Sequence, residues 1–251
     1  MDLSGKNSGT TYCKKSFGPK LISVGEDDVS EVRISNIKVL NNTITSTILD
    51  QEKNSWNVKL KTAGKHYIKN AAALLTLVYS LKLSPAVAIS ALEKWTPLAG
   101  RGQVSEIKFN NHNNNISIRL IDESYNANPG SLKSSLETLV SIFTNEKNQS
   151  QQSRRIAVLG DMLEQGLSEV KEHVNISKLS TLDKIDKIFC VGPRMRNLYN
   201  VLPYPKRGVW TETALEMQNV LVNKLNNGDI VMIKGSFSMG MNTIVNKLKN
   251  T

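Results

Sequence analysis

The segment Ile121–Ser131, IDESYNANPGS, packs acids, a tyrosine, two asparagines and a Pro-Gly pair into one corner of the chain. Asp122 could accept two hydrogen bonds from the vicinal hydroxyls of a ribose, or it could cap a turn or pair with a lysine. Tyr125 offers a ring for stacking or for a core. Asn128, followed by Pro129, suits a helix N-cap and first helical residue as well as it suits a pocket wall. Three further clusters have similar character: GDMLEQG from Gly160, VGPRM from Val191 and KGSFSMGM from Lys234. Gly160, Asp161 and Met162 read either as a turn leaving a strand or as a ligand-facing loop. Lys234, Gly235 and Ser236 join a cation, a residue without a side chain and a hydroxyl. Together they could bind a carboxylate or phosphate with help from a helix N-terminus, although a solvated lysine beside a glycine turn is the plainer reading. Upstream, His66 and Asn70 share a helix face if a helix begins that early. Asn70 is then a helix-start residue bonded to backbone or an amide that reads a base edge.

The elements that must position these groups divide near Gly100. From Val32 to Leu60 the chain alternates apolar and polar residues in VRISNIKVL, TITSTIL and WNVKL, the period of half-exposed antiparallel strands. AGKHYIKNAAALLTLVYSLKL then turns helical, with Asn70, Leu74, Leu77, Val78 and Leu81 on one face. Ser84-Pro85 starts another helix through Val87, Ala88 and Leu92 that ends before Pro97. PLAGRGQ has the punctuation of a linker, which sets the domains at 1–99 and 100–251. Beyond it, NISIRLI, RIAVLG, KIFCVG and GDIVMIKG alternate with helical stretches, the signature of a mostly parallel sheet with crossover helices. Leu132, Leu136, Leu139, Val140 and Phe143 form one helical stripe, and Met241, Ile244, Val245 and Leu248 another. Each strand of this half ends in one of the polar clusters. Ligands of open α/β sheets bind outside the carboxyl ends of the strands, so the four clusters should converge on one rim.

Composition narrows the function classes. The 251 residues, 39% hydrophobic and 22% charged, read as an ordinary globular chain, and no apolar run reaches the ~20 residues of a membrane span. MDLSGKNSGTTYCKK lacks an apolar h-region, so a cytoplasmic location is expected. The net charge of +10 raises the question of nucleic acid, but the lysines are dispersed among asparagines without interleaved aromatics. Neither nucleic acid nor membrane is therefore expected as a partner. Cys13 and Cys190 lie in unlike contexts and read as reduced thiols. The histidines are scattered: His112 reads as a turn residue and His173 as a helical surface group, and no metal site is expected.

Taken together, GKHYIKNAAA, LAGRGQ, IDESYNANPGSLKSSLETL, AVLGDMLEQG, VGPRM and IKGSFSMGMNTIV resemble the Mur ligases of bacterial cell-wall synthesis. They are most similar to the branch that joins UDP-N-acetylmuramoyl-tripeptide to D-alanyl-D-alanine, from about Phe17 to the end of the chain. The resemblance implies an α/β fold: a Rossmann-like C-terminal Mur ligase domain, preceded by the antiparallel strands and helices that close the central ATPase domain. It also implies ATP and Mg²⁺ as cofactors and an acyl phosphate attacked by the dipeptide amine. By resemblance, Asn70 contacts adenine, with His66 beside it, and Arg101 reaches the nucleotide on domain closure. Asp122 holds the ribose, while Tyr125, Asn126 and Asn128 shape the nucleotide pocket. Gly160, Asp161, Met162, Lys234, Gly235 and Ser236 face the dipeptide or the reacting phosphate.

The departures are equally informative. SGKNSGTT at Ser4–Thr11 has the letters of a P-loop in the wrong order and no strand before it. The sugar-binding domain and the central metal-holding acid and histidine have no counterpart. The KGSR common in relatives is KGSF here, and Asn242 stands where many have an acid. The expectation is a C-terminal portion that does not ligate alone. The alternative is a non-catalytic nucleotide- and dipeptide-binding half of a split ligase, which needs a separately encoded N-terminal half and exposes an apolar face on residues 30–95. An NAD-type oxidoreductase is disfavoured, because no G-x-G-x-x-G follows a strand.

Overall fold

A computed structural model describes residues 21–40, 42–50, 52–111, 114–142 and 153–251. Ser4–Thr11, Cys13, His112, Phe143 and the polar stretch at 144–152 lie outside them. Two sheets fall on either side of Gly100. In the first, β1 (Val24–Gly25) runs parallel to β2 (Val32–Leu40), and β2, β3 (Thr43–Leu49) and β4 (Ser55–Leu60) form an antiparallel meander. The alternation seen in the sequence is realised: Ile44, Ser46 and Ile48 point inward and their neighbours are partly exposed. A register shift between Ser35 and Lys38 interrupts β2, where Asn36 takes a φ of 54°, a bulge that bends the strand.

Helices α1 (His66–Ser80) and α2 (Pro85–Lys94) pack on this sheet. Here the structure corrects the expected stripe. The buried face of α1 is Ile68, Ala71, Ala72 and Leu75, while Asn70, Leu74, Leu77 and Leu81 are exposed. Helix α2 has no fully buried residue, and Val87 lies in the open. Small alanines let α1 approach the sheet closely, so the larger leucines are left facing away from it.

The second sheet has the order β5-β6-β10-β7-β8-β9. Its strands are β5 (Gln103–Asn111), β6 (Asn114–Glu123), β7 (Arg155–Gly160), β8 (Lys187–Val191), β9 (Arg207–Thr211) and β10 (Ile230–Lys234). Only β5 is antiparallel to its neighbour; the others run parallel. Helices α3 (Pro129–Ser141) and α5 (Met195–Val201) cover one face through Leu132, Leu136, Leu139, Met195 and Leu198. Helices α6 (Ala214–Val222) and α7 (Asn242–Lys249) cover the other, where Met241, Ile244, Val245 and Leu248 are all buried as their spacing predicts. With both faces covered, β7 and β10 are near-continuous apolar runs. The short helix α4 (Glu169–Asn175) lies against α5.

Candidate functional site

Because β6, β10, β7 and β8 run parallel, their carboxyl ends at Glu123, Lys234, Gly160 and Val191 share one edge, with Lys234 in register with Glu123 on one side and Leu159 on the other. The linker is sewn to this edge. Gly100 N–H donates to Asp122 Oδ2 (3.0 Å), Gly102 N–H to the Asp122 carbonyl (2.7 Å) and Tyr125 N–H to the Gly100 carbonyl (3.0 Å). Gly100 and Gly102 have φ of 75° and 90°, and a Cβ on Gly100 would meet Tyr125 at 3.0 Å, so glycine is required at Gly100 on both counts. The remaining oxygen of Asp122 accepts from Ser124 N–H and Oγ–H at 3.2 and 2.6 Å. This buried carboxylate is therefore engaged in shaping the corner.

Lys234, expected to face a ligand, is 2% exposed. Its ammonium donates to the Asn126 carbonyl (2.9 Å) and lies 3.5 Å from Glu123 Oε2. Burial pushes the Glu123 carboxyl up and the Lys234 ammonium down, and each partner pulls the other back toward its charged form. From the other sheet's side, α1 begins at His66, so His66 and Asn70 do share one helix. His66 is partly buried, and its Nδ1, like Glu123 Oε1, is buried without a hydrogen-bond partner among the described residues. Burial, and next the Lys234 charge, lower the imidazole's pKa. Beside it the Tyr67 hydroxyl donates to the Arg101 carbonyl, and its own pKa is raised to about 12, first by burial and then by Glu123.

The GDM loop is likewise turned inward. Asp161 is wholly buried, and its carboxylate accepts the Met195 and Arg194 amides at the start of α5 at 2.7 and 3.2 Å. Met162 is buried, and its N–H donates to His173 Nε2 (3.0 Å) while His173 Nδ1 pairs with the Glu169 carbonyl (2.6 Å). His173 is thus a buried structural group in its Nδ1–H tautomer, contrary to its expected surface position. Ser236 N–H donates to the Asp161 carbonyl and Ser236 Oγ accepts from Leu163 N–H, so the β7 and β10 ends hold each other. Gly160 and Gly235 are so close that a Cβ on Gly235 would lie 3.0 Å from Gly160 Cα.

Among the side chains left exposed at the rim are Arg101, Tyr125, Asn126, Asn128 and Phe237, while Asn70 is exposed on α1. Asn128 realises the capping reading: its side chain accepts from Ser131 N–H (2.8 Å), and Ser131 Oγ accepts from Asn128 N–H in a reciprocal box. The Arg101 guanidinium lies 4.0 Å over the Tyr125 ring, which meets Phe237 with centroids 5.6 Å apart. Tyr67 and Glu123 escaped sequence reasoning. The signal for Glu123 was an acid at the very end of an apolar parallel strand; for Tyr67 there was none beyond its place beside His66.

The family model described as Mur ligase, glutamate ligase domain, matches residues 109–237, just over half of the chain. The UDP-N-acetylmuramoyl-tripeptide–D-alanyl-D-alanine ligase of Mycobacterium leprae is 30% identical over 216 residues, 79% of this chain and 40% of that protein. The ligase of the same name from Escherichia coli is 25% identical over 220 residues, 88% of this chain and 45% of that protein. Among solved structures, MurF from Acinetobacter baumannii superposes with a TM-score of 0.73 at 23% identity, covering 92% of this chain and 47% of that one. MurF from Thermotoga maritima in complex with ADP gives 0.72 at 18%, covering 91% and 48%. At these identities the superpositions establish the shared fold. The chain spans somewhat less than half the length of these relatives.

Proposed function

The chain belongs to the Mur ligase family, and from that membership we propose that it is the C-terminal portion of an ATP-dependent ligase joining D-alanyl-D-alanine to UDP-N-acetylmuramoyl-tripeptide in peptidoglycan precursor synthesis. Residues 1–99 are assigned to the tail of the central ATPase domain and 100–251 to the C-terminal domain, and the working enzyme is assigned to the cytoplasm. The observation that carries this reading is the junction. The linker Gly100–Gly102 and the corner Asp122–Tyr125 form one hydrogen-bonded unit, against which the first turn of α1 packs through Tyr67. Groups suited to a nucleoside thereby come from both sides of the junction. Asn70 and Asn126 offer amides for a base edge, Tyr125 a face, and Arg101 a cation. The Gly160–Met162 and Lys234–Ser236 loops form the acceptor side through the backbone that their buried side chains hold in place.

ATP supplies the phosphoryl group that activates the tripeptide carboxylate when it is bound. The residues present fit its nucleoside better than its phosphates: these 251 residues contain no G-x-x-x-x-G-K-[ST] pattern, and among the described residues no three His, Cys, Asp or Glu side chains gather to hold Mg²⁺. Loss of phosphate and metal contacts removes the largest electrostatic contribution to such a transfer, so the chain alone is expected not to ligate. The test is to supply the purified 251 residues with ATP, Mg²⁺ and both substrates, and to titrate ADP while following the amide resonances of the rim. No ADP release, with shifts at Arg101, Tyr125 and Asn126, is expected. Turnover with contaminating ligase excluded would overturn the inertness, and a silent rim would overturn the nucleotide assignment.

A second reading, the binding half of a split ligase, is favoured by a specific feature. Leu74, Leu77, Leu81, Leu83 and Val87 are exposed along α1, α2 and the turn between them, beside a groove of about 520 Å³ lined by Ile22, Trp56, Tyr79 and Leu83 together with Glu31, Glu52 and Lys82. An apolar face of this kind suits association with the N-terminal half of such a ligase. Co-expression with that half, followed by co-purification and recovered turnover, would select this reading.

A further inference from the structure

We propose that Phe237 is a positioning residue for Arg101, acting through Tyr125. The inference rests on the reading of Arg101 as a nucleotide-side group, but the contacts that carry it stand without that reading. The three side chains come from three segments: Arg101 from the linker, Tyr125 from the β6–α3 corner and Phe237 from the turn after β10. They form a ladder in which the guanidinium sits 4.0 Å over Tyr125 and the Tyr125 and Phe237 rings meet at 5.6 Å, tilted by 58°. A tilted aromatic pair at this spacing is attractive, and a cation over the face of a tyrosine is too.

Each rung has a fixed backbone. Tyr125 is held by its N–H bond to Gly100, the residue before Arg101, so its ring cannot drift away from the linker. Lys234 Nζ grips the Asn126 carbonyl, and Ser236 Oγ donates to the Ala127 carbonyl at 3.4 Å, which ties the end of β10 to the two residues that follow Tyr125. The Phe237 carbonyl accepts from Gly240 N–H, closing the turn that carries the ring. These ties bring the β10 turn and the corner together whatever the identity of residue 237. The ring of Phe237 adds a wall that limits the rotamers of Tyr125, and hence the seat of Arg101.

An exposed phenylalanine has no other evident reason to be here. At 70% exposure it contributes little to the core, and among the described residues its ring meets Tyr125. A contact that steadies the ring on which the exposed Arg101 guanidinium rests also sets what a nucleotide must displace to recruit it. Phe237 therefore tunes the apparent affinity of the rim without touching the nucleotide.

The experiment is nuclear magnetic resonance of the full 251-residue chain, reading the Arg101 side-chain resonances, with the dispersed amide spectrum as the control for folding. In the native chain the Arg101 δ-methylene protons are expected upfield, shifted by the Tyr125 ring. Tyr125→Leu should return them to ordinary arginine positions. Phe237→Leu should move them part of the way, and Phe237→Tyr should restore them. An unchanged Arg101 shift in Phe237→Leu, with the fold intact, overturns the proposal. ADP titration of the same samples separates the two ideas: an intact ladder with no response to ADP counts against the nucleotide reading alone. A tighter ADP response in Phe237→Leu than in the native chain supports the tuning role.

Discussion

The Tyr67 hydroxyl donates a hydrogen bond to the main-chain carbonyl of Arg101, joining residues 34 apart and on opposite sides of the boundary between the two sheets. The ring that carries it packs against Trp95 at 4.9 Å, just before the linker. Tyr67→Phe removes the donor and keeps the ring, so it is expected to cost about 1 kcal/mol. Hydrogen exchange at residues 98–102 should accelerate in the same variant. Urea unfolding checks the first outcome and mass-resolved exchange the second.

The junction also predicts a pH dependence. His66 has its pKa lowered in the folded chain, so the unfolded state binds more protons as the pH falls through the ordinary histidine value of 6.5. Its contribution to stability is present above that value and is lost as the pH falls. Glu123 has its pKa raised above 4.5, so the folded state holds the proton longer; its contribution is present below 4.5 and is lost as the pH rises through the folded value. The two slopes oppose each other across the Lys234 charge. His66→Gln should therefore flatten the acid-side loss of melting temperature between about pH 5 and 7, and Glu123→Gln should flatten the loss on the rising side. Melting curves that keep the native pH slope in His66→Gln would count against the assignment.

At the GDM loop, His173→Leu leaves the Met162 N–H and the Glu169 carbonyl without their ring partner in a buried place. The expected loss is about 1–3 kcal/mol for each unpaired group, read by chemical denaturation. Local loosening should reach Asp161, because Met162 is its neighbour in the chain.

Gly192 has a φ of 104°, and a Cβ there would fall 2.5 Å from the Asp161 carboxyl carbon. Gly192→Ala must either strain the turn or push Asp161 off the amides that open α5. A loss of about 3 kcal/mol or more is expected, visible as poor soluble yield and a lowered melting temperature.

The apolar stripe allows an opposite kind of prediction. Leu77 and Leu81 are exposed, so Leu77→Lys with Leu81→Lys should leave stability within about 0.5 kcal/mol while raising solubility. If the stripe serves association, the same pair should abolish co-purification with the N-terminal half.

Sequence periodicity located the meander of the first sheet because each strand keeps one face wet, and it located β7, β8 and β10 because each is almost wholly apolar. It missed β5, whose QVSEIKFNN mixes charges on its open side, and β9, whose RGVWT is short and begins with Arg-Gly. In α1 the alanines that make the close approach carry little hydrophobic signal, so the leucines drew the eye to the wrong face. The chemistry-bearing residues were legible as a cluster but not in their direction. Asp122, Asp161 and Lys234 read as ligand groups by type, and only the three-dimensional structure reveals backbone amides and carbonyls that claim them first. Tyr67 could not be foreseen, since its partner lies across the linker.

The position of β10 has a consequence for how the chain acquires this structure. Strand Ile230–Lys234 lies between β6 and β7, so the middle of the sheet is supplied by residues made after those of all five other strands. Until they emerge, β6 with β5 on one side and β7 with β8 and β9 on the other have no strand to join them. Their facing edges carry unpaired amides and carbonyls until then. Closure of the sheet thus waits on the last of its strands to be made, and a stop before Ile230 would release two open half-sheets prone to aggregation.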